Sequence, residues 1–292
     1  MARPRRFQFP GAHYHVTDRG NAKGDIFYDD HDRHDFLCLM HKVAIRLRWD
    51  VLAYCLMPNH YHLFVATPDP SLSAGIQRLN GTYALRFNRR HDRVGHLFQG
   101  RFKAALVDSQ AYLLAVIRYI AWNPVKAGFC RVPEDWRWSS HAAAMGLAPG
   151  VGILAWDRVL GEFGPDPESG VAEYMKFISD IAGSEQELGE FTNPQIIGDK
   201  TFTEAMSERA RCIAREVVRE ERASKPLAAY FATSTDRNVA IRAAYQTGVY
   251  SLSDIARYLK LHYSTISKIC RTTEESETTP PLPFDEDRQF KI

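Results

Sequence analysis

Two kinds of hydrophobic spacing alternate along the first half of the chain. Short runs of alternating or mostly apolar residues are typical of β-strands, and apolar residues three and four positions apart are typical of amphipathic helices. The short runs cover residues 14–19, 51–57, 61–67 and 102–107, and the helical spacing covers residues 31–47 and 71–88. The resulting order, β-α-β-β-α-β, predicts an α+β, ferredoxin-like fold with both helices on one face of an antiparallel sheet.

A third helical stretch follows the fourth predicted strand and is an addition to the ferredoxin-like core. Its apolar positions at helical spacing are Tyr112, Leu113, Val116, Ile117 and Ile120. Asp108 and Ser109 precede the stretch and are of residue types that cap helix N-termini. Because a proline disfavours helical geometry in the residue before it, Pro124 predicts that the helix ends at Asn123.

Downstream of this helix the pattern predicts a wrapped segment, short helices and a hinge. Residues 136–160 are expected to fold back onto the core, and residues 171–181 to form a short helix. The acidic, glycine-containing residues 183–199 are typical of a hinge. Two further helices are predicted over residues 203–223 and 235–247.

The segment from Tyr250 to Arg271 predicts two short helices joined by a tight connection, the arrangement of a helix-turn-helix. Ser251 or Ser253 caps the first helix, and Leu261 and His262 form the connection. The positions that face inward are Ile255, Ala256, Leu259, Ile266 and Ile269. The exposed positions of the second helix, predicted to contact DNA, are Tyr263, Ser264, Thr265, Ser267, Lys268 and Arg271. The alternative is an ordinary helical core without a nucleic-acid partner.

Length and composition are those of a soluble globular protein with room for two domains. The 292 residues are 45% hydrophobic, and no apolar run approaches the about 18 residues that a membrane span needs. The basic N-terminal residues lack the apolar core of a signal peptide, so we expect no export. The five cysteines form no C-x-x-C pair, which argues against a disulfide framework or a zinc ribbon and favours a reducing cytoplasm.

The net charge of +2 conceals two basic regions separated by an acidic one. Lys and Arg outnumber Asp and Glu by 20 to 12 in residues 1–149 and by 12 to 7 in residues 201–271. Acidic residues dominate residues 150–200, by 10 to 3, and residues 272–292, by 6 to 2. We therefore predict an N-terminal domain, an acidic connector, a helical domain and a disordered tail with these bounds, and two surfaces for a polyanion. Solubility alone is the alternative role of the surplus charge.

Candidate chemistry begins with His60 and His62, which flank Tyr61 inside an apolar run. Successive side chains of a strand point to opposite faces, so the two imidazoles share one face and can share a divalent metal ion. Two solvated surface histidines are the alternative. Tyr119 and Asn123, four apart on one helix face, add a phenol nucleophile and an amide oxygen as third ligand. Taken alone, they are better explained as a core tyrosine and a turn residue before proline.

Five collinear segments between about Arg5 and Met145 carry a family resemblance. They are Gly11–Asn21, His60–His62, Gly95–Lys103, Tyr119–Gly128 and Trp136–Ser140. Their order resembles that of the single-tyrosine HUH transposases, and more narrowly their REP-associated tyrosine transposase branch. The resemblance implies that residues 1–149 are a catalytic domain, with a metal on His60, His62 and Asn123 and with Tyr119 as nucleophile. It also implies a single-stranded DNA hairpin, a short palindromic repeat, as the substrate.

The chemistry expected of such a chain is transfer of DNA strands. Tyr119 attacks a phosphodiester, which forms a 5′-phosphotyrosine link and frees a 3′-OH, and reversal by another 3′-OH rejoins strands. Two imidazoles and one amide oxygen suit Mn²⁺ and admit Mg²⁺. Tyr83 and Tyr112 are rival nucleophiles, but Tyr83 falls on the apolar stripe of its helix and Tyr112 has no amide beside it.

A mixed basic and aromatic segment, residues 86–103, and a basic N-terminal arm predict contacts to DNA phosphates. The basic residues concerned are Arg3, Arg5, Arg6, Arg86, Arg89, Arg90, Arg93, Arg101 and Lys103. Phe98 and Phe102 are expected either to stack on unpaired bases or to belong to the core. The C-terminal region loosely resembles the DNA-binding domain of the replication initiator DnaA. Whether the chain is a monomer or a homodimer stays open.

Two other functions are compatible with these residues. A DNA-binding regulator retains the fold and the helix-turn-helix without chemistry, although it has no need of the two histidines, the tyrosine and the asparagine together. A metal-dependent nuclease that uses water forms no covalent protein–DNA adduct. A nucleotide phosphotransferase is disfavoured because the chain has no glycine-rich P-loop.

Overall fold

The computed structural model describes residues 8–108, 112–148, 152, 154–180, 195–210, 226–232, 234, 236–246 and 250–271. The chain divides into two compact units, residues 1–208 and residues 209–292. The basic arm with Arg3, Arg5 and Arg6 and the predicted disordered tail lie outside the described residues. None of the described helices is long and apolar enough to cross a membrane.

The first unit has the predicted β-α-β-β-α-β order. Its elements are β1 (Ala12–Arg19), α1 (Asp30–Leu47), β2 (Asp50–Met57), β3 (His60–Thr67), α2 (Leu72–Arg90) and β4 (Lys103–Val107). Every boundary lies within two residues of the predicted one. The strands lie in the order β2-β3-β1-β4, with each neighbour antiparallel, as in a ferredoxin-like fold.

A fifth strand makes the sheet mixed, which corrects the prediction of a purely antiparallel sheet. β5 (Ile196–Ile197) pairs in parallel with β4. The backbone N–H of Leu106 donates to the carbonyl of Gln195 at 2.9 Å, and that of Asp108 to the carbonyl of Ile197 at 2.7 Å. β5 falls in the segment predicted to be a hinge. A two-residue strand has no alternation to detect, and an open sheet edge supplies the partner that defines it.

Different helices cover the two faces of the sheet. α1 and α2 pack on one face, and their buried side chains there include Phe36, Met40, Tyr83 and Phe87. α3 (Leu113–Lys126) packs on the opposite face. Because side chains alternate along a strand, Tyr61 and Leu63 of β3 lie in the core beneath α1 and α2, and Phe64 lies in the core beneath α3. His60 and His62 therefore lie on the α3 face.

Pro124 does not end α3, contrary to the prediction. The helix runs to Lys126, and Tyr112, rather than the predicted Asp108, holds the N-cap position. Ser109 lies outside the described residues. The N–H of Ala127 still donates to the carbonyl of Asn123 at 3.0 Å. A proline removes a single backbone hydrogen bond near a helix end, and the burial of this part of α3 outweighs that loss.

The described residues between 136 and 160 fold back onto the sheet, as predicted. The backbone N–H of Leu56 donates to the carbonyl of Trp138 at 2.9 Å, and that of Ala155 donates to the carbonyl of Val51 at 2.9 Å. This stretch contains two short helices, α4 (Ser140–Ala144) and α5 (Trp156–Leu160).

The predicted connector packs into the first unit through α6 (Pro167–Ser179). This helix begins four residues before the predicted start, because Asp166 caps it by accepting from the N–H of Ser169 at 2.9 Å. Its Tyr174 and Ile178 are buried in the core under α3. Residues 200–210 are helical, and the rest of the predicted helix 203–223 lies outside the described residues.

The second unit is a small helical domain. Its described helices are α7 (Leu227–Ala232), α8 (Arg237–Gln246), α9 (Leu252–Leu259) and α10 (Tyr263–Arg271). The buried side chains of its core are Ile241, Ala244, Ile255, Ala256 and Ile266. Ser251 caps α9 in a capping box with Asp254, and Lys260 takes the left-handed conformation that ends it. The predicted pair of short helices is present, and α7 falls outside the predicted elements.

Candidate active site

The pairing of β1 with β3 sets the position of the two candidate metal ligands. His62 lies opposite Thr17 in the ladder, and His60 lies opposite Arg19. The rings of His60 and His62 share one face of the sheet, with centroids 5.1 Å apart, as strand alternation predicts. His62 is buried and His60 is half-buried. The pair therefore lies at the end of a strand, where the core meets the solvent.

α3 places Tyr119 and Asn123 over this pair. The Tyr119 ring lies edge-on to that of His62, with centroids 5.7 Å apart and planes at 72°. One helical turn later, the side chain of Asn123 is close enough to both imidazoles to raise their pKa values slightly. The structure thus brings together all four residues that the sequence predicts for the site.

A third imidazole, His15 on β1, lies beside them. Its Nε2 is 2.9 Å from Nδ1 of His62, and the two rings stack with centroids 5.2 Å apart and planes at 10°. The ring of His15 also meets that of Tyr119 edge-on, at 5.6 Å. Sequence reasoning missed this residue. The signal was available, because His13, Tyr14 and His15 form a second His-x-His in a predicted strand.

Burial keeps these three imidazoles neutral. Burial lowers the pKa of His15 from 6.5 to about 4. Burial, and then the charge of Arg19, lower the pKa of His60 to about 4, against a smaller raising effect of Asn123. The pKa of His62 is lowered well below 6.5 by burial and then by the two neighbouring histidines. At neutral pH each ring therefore keeps one nitrogen with a free lone pair.

The donor atoms fit a divalent metal ion. Nδ1 of His60 lies 2.7 Å from Oδ1 of Asn59, whose Nδ2 donates to the carbonyl of Lys23 at 3.1 Å. That oxygen only accepts, so Nδ1 carries the ring proton of His60 and Nε2 keeps its lone pair. Nε2 of His62 is buried, and none of the described residues meets it in good hydrogen-bonding geometry.

The candidate donor set consists of these two imidazoles and the amide oxygen of Asn123. Within the described residues, no group of three or more His, Cys, Asp or Glu side chains is arranged to hold a metal ion. His15 does not enlarge the set, because its Nε2 faces Nδ1 of His62 rather than the orphaned Nε2.

Two basic side chains border the same face. Arg19 is exposed at the end of β1, across the ladder from His60. Lys103 is exposed at the start of β4, across from Thr17, so both point to the histidine side of the sheet. Lys103 is one of the predicted DNA contacts. Arg19 is a residue that sequence reasoning missed.

Three other predicted DNA contacts are engaged within the protein. Arg86 forms an ion pair with Asp35. Arg90 donates to the buried carboxylate of Asp32 at 2.5 Å. Arg93 lies over two aromatic rings, with its guanidinium carbon 5.5 and 5.8 Å from their centroids. The ion pairs of Arg86 and Arg90 tie the end of α2 to α1 and neutralise part of the predicted basic surface. The rings beside Arg93 are those of Tyr28, which precedes α1, and Phe87 on α2.

The rest of the basic and aromatic segment divides between solvent and core. Arg89 and Arg101 are exposed. Phe102 is buried, and Phe98 packs against the same core. These positions favour a role in the hydrophobic core for both phenylalanines over stacking on unpaired bases.

The two rival tyrosines occupy different surroundings. Tyr83 is buried in the core on the other side of the sheet, and its hydroxyl donates to the carbonyl of Ile26. Burial raises the pKa of its phenol above the ordinary value of 10. Tyr112 is the N-cap residue of α3, seven positions before Tyr119. Tyr119 is the tyrosine whose ring contacts two imidazoles.

The candidate recognition helix of the second unit, α10, presents most of its predicted contacts to solvent. The exposed residues are Tyr263, Ser264, Thr265 and Lys268, and Ser267 is half-buried. Nδ1 of His262 lies 2.8 Å from the hydroxyl of Ser264, which orders the start of the helix. The side chain of Arg271 lies outside the described part of the chain.

Comparison with known proteins finds a match to one family model. Residues 8–123 match the model of the family described as "Transposase IS200 like". The matched stretch contains His15, His60, His62, Tyr119 and Asn123. Over 103 residues the chain is 29% identical to a REP-associated tyrosine transposase of Haemophilus influenzae. That match covers 32% of this chain and 58% of the relative, so it spans less than two thirds of the relative's length.

Two solved structures are similar to parts of the chain. One is a REP-associated tyrosine transposase bound to a REP hairpin, with 22% identity and a TM-score of 0.42, covering 51% of this chain and 89% of that one. The other is a transposase of Deinococcus radiodurans, with 18% identity and a TM-score of 0.30, covering 40% of this chain and 93% of that one.

Proposed function

Because residues 8–123 match the IS200-like transposase family, we propose that the chain cleaves and transfers single-stranded DNA with Tyr119 as nucleophile. The observation that carries this proposal is the meeting of Tyr119 and Asn123 with His60 and His62 on one face of the sheet. A phenol beside two neutral imidazoles and an amide is an arrangement for phosphoryl transfer.

The substrate that we propose is a single-stranded hairpin of a short palindromic repeat. The order of the sequence motifs and the REP-associated relative from Haemophilus influenzae support this choice. Such a substrate has unpaired nucleotides at its ends, and exposed cations such as Arg19 and Lys103 can contact the phosphates of these nucleotides.

Nε2 of His60, Nε2 of His62 and the amide oxygen of Asn123 would hold a divalent metal ion. Two imidazoles and an oxygen suit Mn²⁺ and admit Mg²⁺. When bound, such an ion polarises the scissile phosphate and accepts its oxygens at open positions. The orphaned Nε2 of His62 supports this assignment, since a buried ring nitrogen without a partner is costly.

The residues of the chain supply the nucleophile and its position. The phenol oxygen of Tyr119 forms a bond to the phosphorus, and the bond from phosphorus to the 3′-oxygen breaks. The phenol proton leaves to solvent, and the departing 3′-oxygen takes up a proton. The 5′-phosphotyrosine keeps the energy of the phosphodiester, so attack by another 3′-OH restores Tyr119 and joins two strands.

For the second unit we propose that α9 and α10 form a helix-turn-helix that binds double-stranded DNA. The tight connection after Lys260 and the polar exposed face of α10 support this role. A regulator without chemistry is the competing function for the whole chain, and the covalent adduct separates the two.

The experiment incubates the full chain with single-stranded repeat hairpins and Mn²⁺ and looks for a denaturation-resistant protein–DNA adduct. We expect the adduct with wild type and with Tyr112→Phe, and none with Tyr119→Phe or His60→Ala. Hairpin binding without an adduct, across repeats and metals, would favour the regulator. An adduct that persists in Tyr119→Phe would remove Tyr119 as the nucleophile.

A further inference from the structure

We infer that His15 is a positioning residue, which selects the tautomer of His62 that can bind a metal ion. This inference rests on the proposed function, and it assigns a role to the third imidazole of the site. His15 reaches the site from β1, a strand that the predicted ligand set does not use.

The two rings are held in a fixed relationship. Nε2 of His15 lies 2.9 Å from Nδ1 of His62, and the rings stack at 10°. Both side chains are buried, so no solvent competes for this hydrogen bond. The strands pair on both sides of the contact, with His15 opposite Phe64 and Thr17 opposite His62. The distance is therefore set by the register of the β1–β3 ladder.

The hydrogen bond between two neutral imidazoles permits two arrangements of protons. In one, Nδ1–H of His62 donates to Nε2 of His15, and Nε2 of His62 keeps a lone pair. In the other, His15 donates, and the proton of His62 moves to its buried Nε2, which makes no hydrogen bond of good geometry with the described residues. Only the first arrangement offers a ligand to a metal, and the second leaves a buried N–H unsatisfied.

The same logic governs the neighbouring ligand. Asn59 accepts from Nδ1 of His60 and leaves its Nε2 free. Each metal-binding imidazole thus has a second partner on Nδ1, an amide for His60 and an imidazole for His62. Partners of this kind orient a ligand ring and fix its tautomer, and their loss typically weakens metal binding by about 10- to 100-fold.

The test measures Mn²⁺ binding by the full chain, using electron paramagnetic resonance of the free ion and calorimetry. All variants carry Tyr119→Phe, so that the readout is independent of catalysis. We expect His15→Phe to weaken Mn²⁺ binding at least about tenfold. His15→Gln should stay within about threefold of the parent, because the Gln amide reaches the position of Nε2 and its oxygen accepts from His62.

His15→Asn is the matched short variant, and it serves if His15→Phe does not fold. Its amide is one methylene shorter, so it should lose binding as His15→Phe does. Equal Mn²⁺ affinity in His15→Asn, His15→Gln and the parent would overturn the inference, as would absence of Mn²⁺ binding by the parent. Failure of the proposed function is distinct, since it appears as absence of the DNA adduct in wild type while the order of metal affinities persists.

A second inference comes from an independent observation, the surroundings of Arg19. We propose that its guanidinium holds an oxygen of the scissile phosphate. Arg19 faces His60 across the ladder, and its charge acts on both His60 and His62. Among the described residues its guanidinium forms no ion pair, unlike Arg86 and Arg90. An exposed guanidinium beside the proposed site can act as a bidentate donor to a phosphate.

The backbone holds Arg19 in place. The N–H of Gln99 donates to the carbonyl of Arg19 at 2.9 Å, and the N–H of Gly20 donates to the carbonyl of Asn59 at 2.8 Å. At Gly20 a Cβ would lie 2.0 Å from the carbonyl oxygen of Gly24, so the turn directly after Arg19 requires glycine. The side chain therefore extends from a rigid point at the end of β1.

This role, which also rests on the proposed function, predicts a loss of rate rather than of affinity. In single-turnover reactions with Mn²⁺, Arg19→Gln should slow adduct formation about 100-fold, and Arg19→Lys should recover part of that loss. Hairpin affinity should change less than about threefold. Arg46→Gln, an exposed arginine on α1, is the control and should match wild type. Equal rates for Arg19→Gln and wild type would overturn this inference, whereas absence of adduct in wild type would refute the proposed function.

Discussion

The ring of Tyr119 meets the ring of His62 edge-on at 5.7 Å, although 57 positions separate the two residues in the chain. One residue comes from a helix that is additional to the ferredoxin-like core, and the other from a strand of that core. The contact joins the nucleophile proposed for the site to its proposed metal ligands. Removing the hydroxyl of Tyr119 should therefore affect function, whereas removing that of Tyr83 should affect stability.

Tyr119→Phe should abolish the covalent adduct and leave the fold and hairpin affinity nearly unchanged. The substitution removes only the phenol oxygen, and the ring keeps its contacts with His15 and His62. Hairpin affinity, measured by fluorescence anisotropy, should stay within about twofold of wild type, a difference below about 0.5 kcal/mol. A large loss of hairpin affinity would mean that the hydroxyl binds DNA instead of attacking it.

Tyr83→Phe should have the opposite profile. Its hydroxyl is buried and donates to the carbonyl of Ile26, so its removal leaves a buried acceptor unpaired. We expect a loss of about 1–3 kcal/mol in the free energy of unfolding, measured with urea, and an unchanged yield of adduct. A stable Tyr83→Phe that forms no adduct would move the nucleophile to the other side of the sheet.

The metal-free protein should lose stability as the pH falls from about 6.5 to about 4. The pKa values of His15 and His60 are about 4 in the folded chain, below the ordinary value of 6.5, because burial disfavours their charged forms. The unfolded chain therefore binds more protons in this window, and protons favour unfolding. Urea midpoints at pH 7.5, 6 and 5, with chelator present, check this.

His15→Gln is the control for that pH dependence. It removes one buried titrating group and keeps a hydrogen-bonding side chain, so its stability should vary less with pH than that of wild type. If stability varied with pH by the same amount in both proteins, the pKa of His15 would be the same in the folded and unfolded chains.

Lys103 and Arg90 should respond differently to substitution, although both are predicted DNA contacts. Lys103→Gln should weaken hairpin binding and lower the slope of log affinity against log salt by about 0.7, the value for one phosphate contact with a single strand. Arg90→Gln should lower stability, because it leaves the buried Asp32 without its arginine, and should change the salt slope less. If both variants lowered the slope of log affinity against log salt equally, Arg90 would belong to the DNA-binding surface.

Two substitutions in the second unit separate folding from DNA contact. Ser251→Ala removes the capping box of α9 and should destabilise this unit by about 1 kcal/mol. Lys268→Ala should leave stability near that of wild type and weaken binding to double-stranded DNA. Thermal unfolding and binding to a duplex, measured on the full chain, check both. Unchanged duplex binding in Lys268→Ala would favour the ordinary helical core.

Local patterns along the sequence predicted most of the elements and paired the central residues of the site, His60 with His62 and Tyr119 with Asn123. Strand alternation alone places His60 and His62 on one face, and helical periodicity alone places Tyr119 one turn before Asn123. Both relationships involve neighbours in the chain, so local geometry is sufficient. The same holds for the cap at Ser251, which needs only the residues of one turn.

The remaining features depend on partners that are distant in the sequence. His15 and His62 are 47 positions apart, and only the register of the β1–β3 ladder brings them within 2.9 Å. The engagement of Arg90 with Asp32 is of the same kind, since an ion pair between two helices leaves no local trace. Packing also overrides a local preference at Pro124, where burial carries α3 past the predicted end. Backbone periodicity is a property of neighbouring residues, whereas strand register, ion pairing and burial arise only when the whole domain packs.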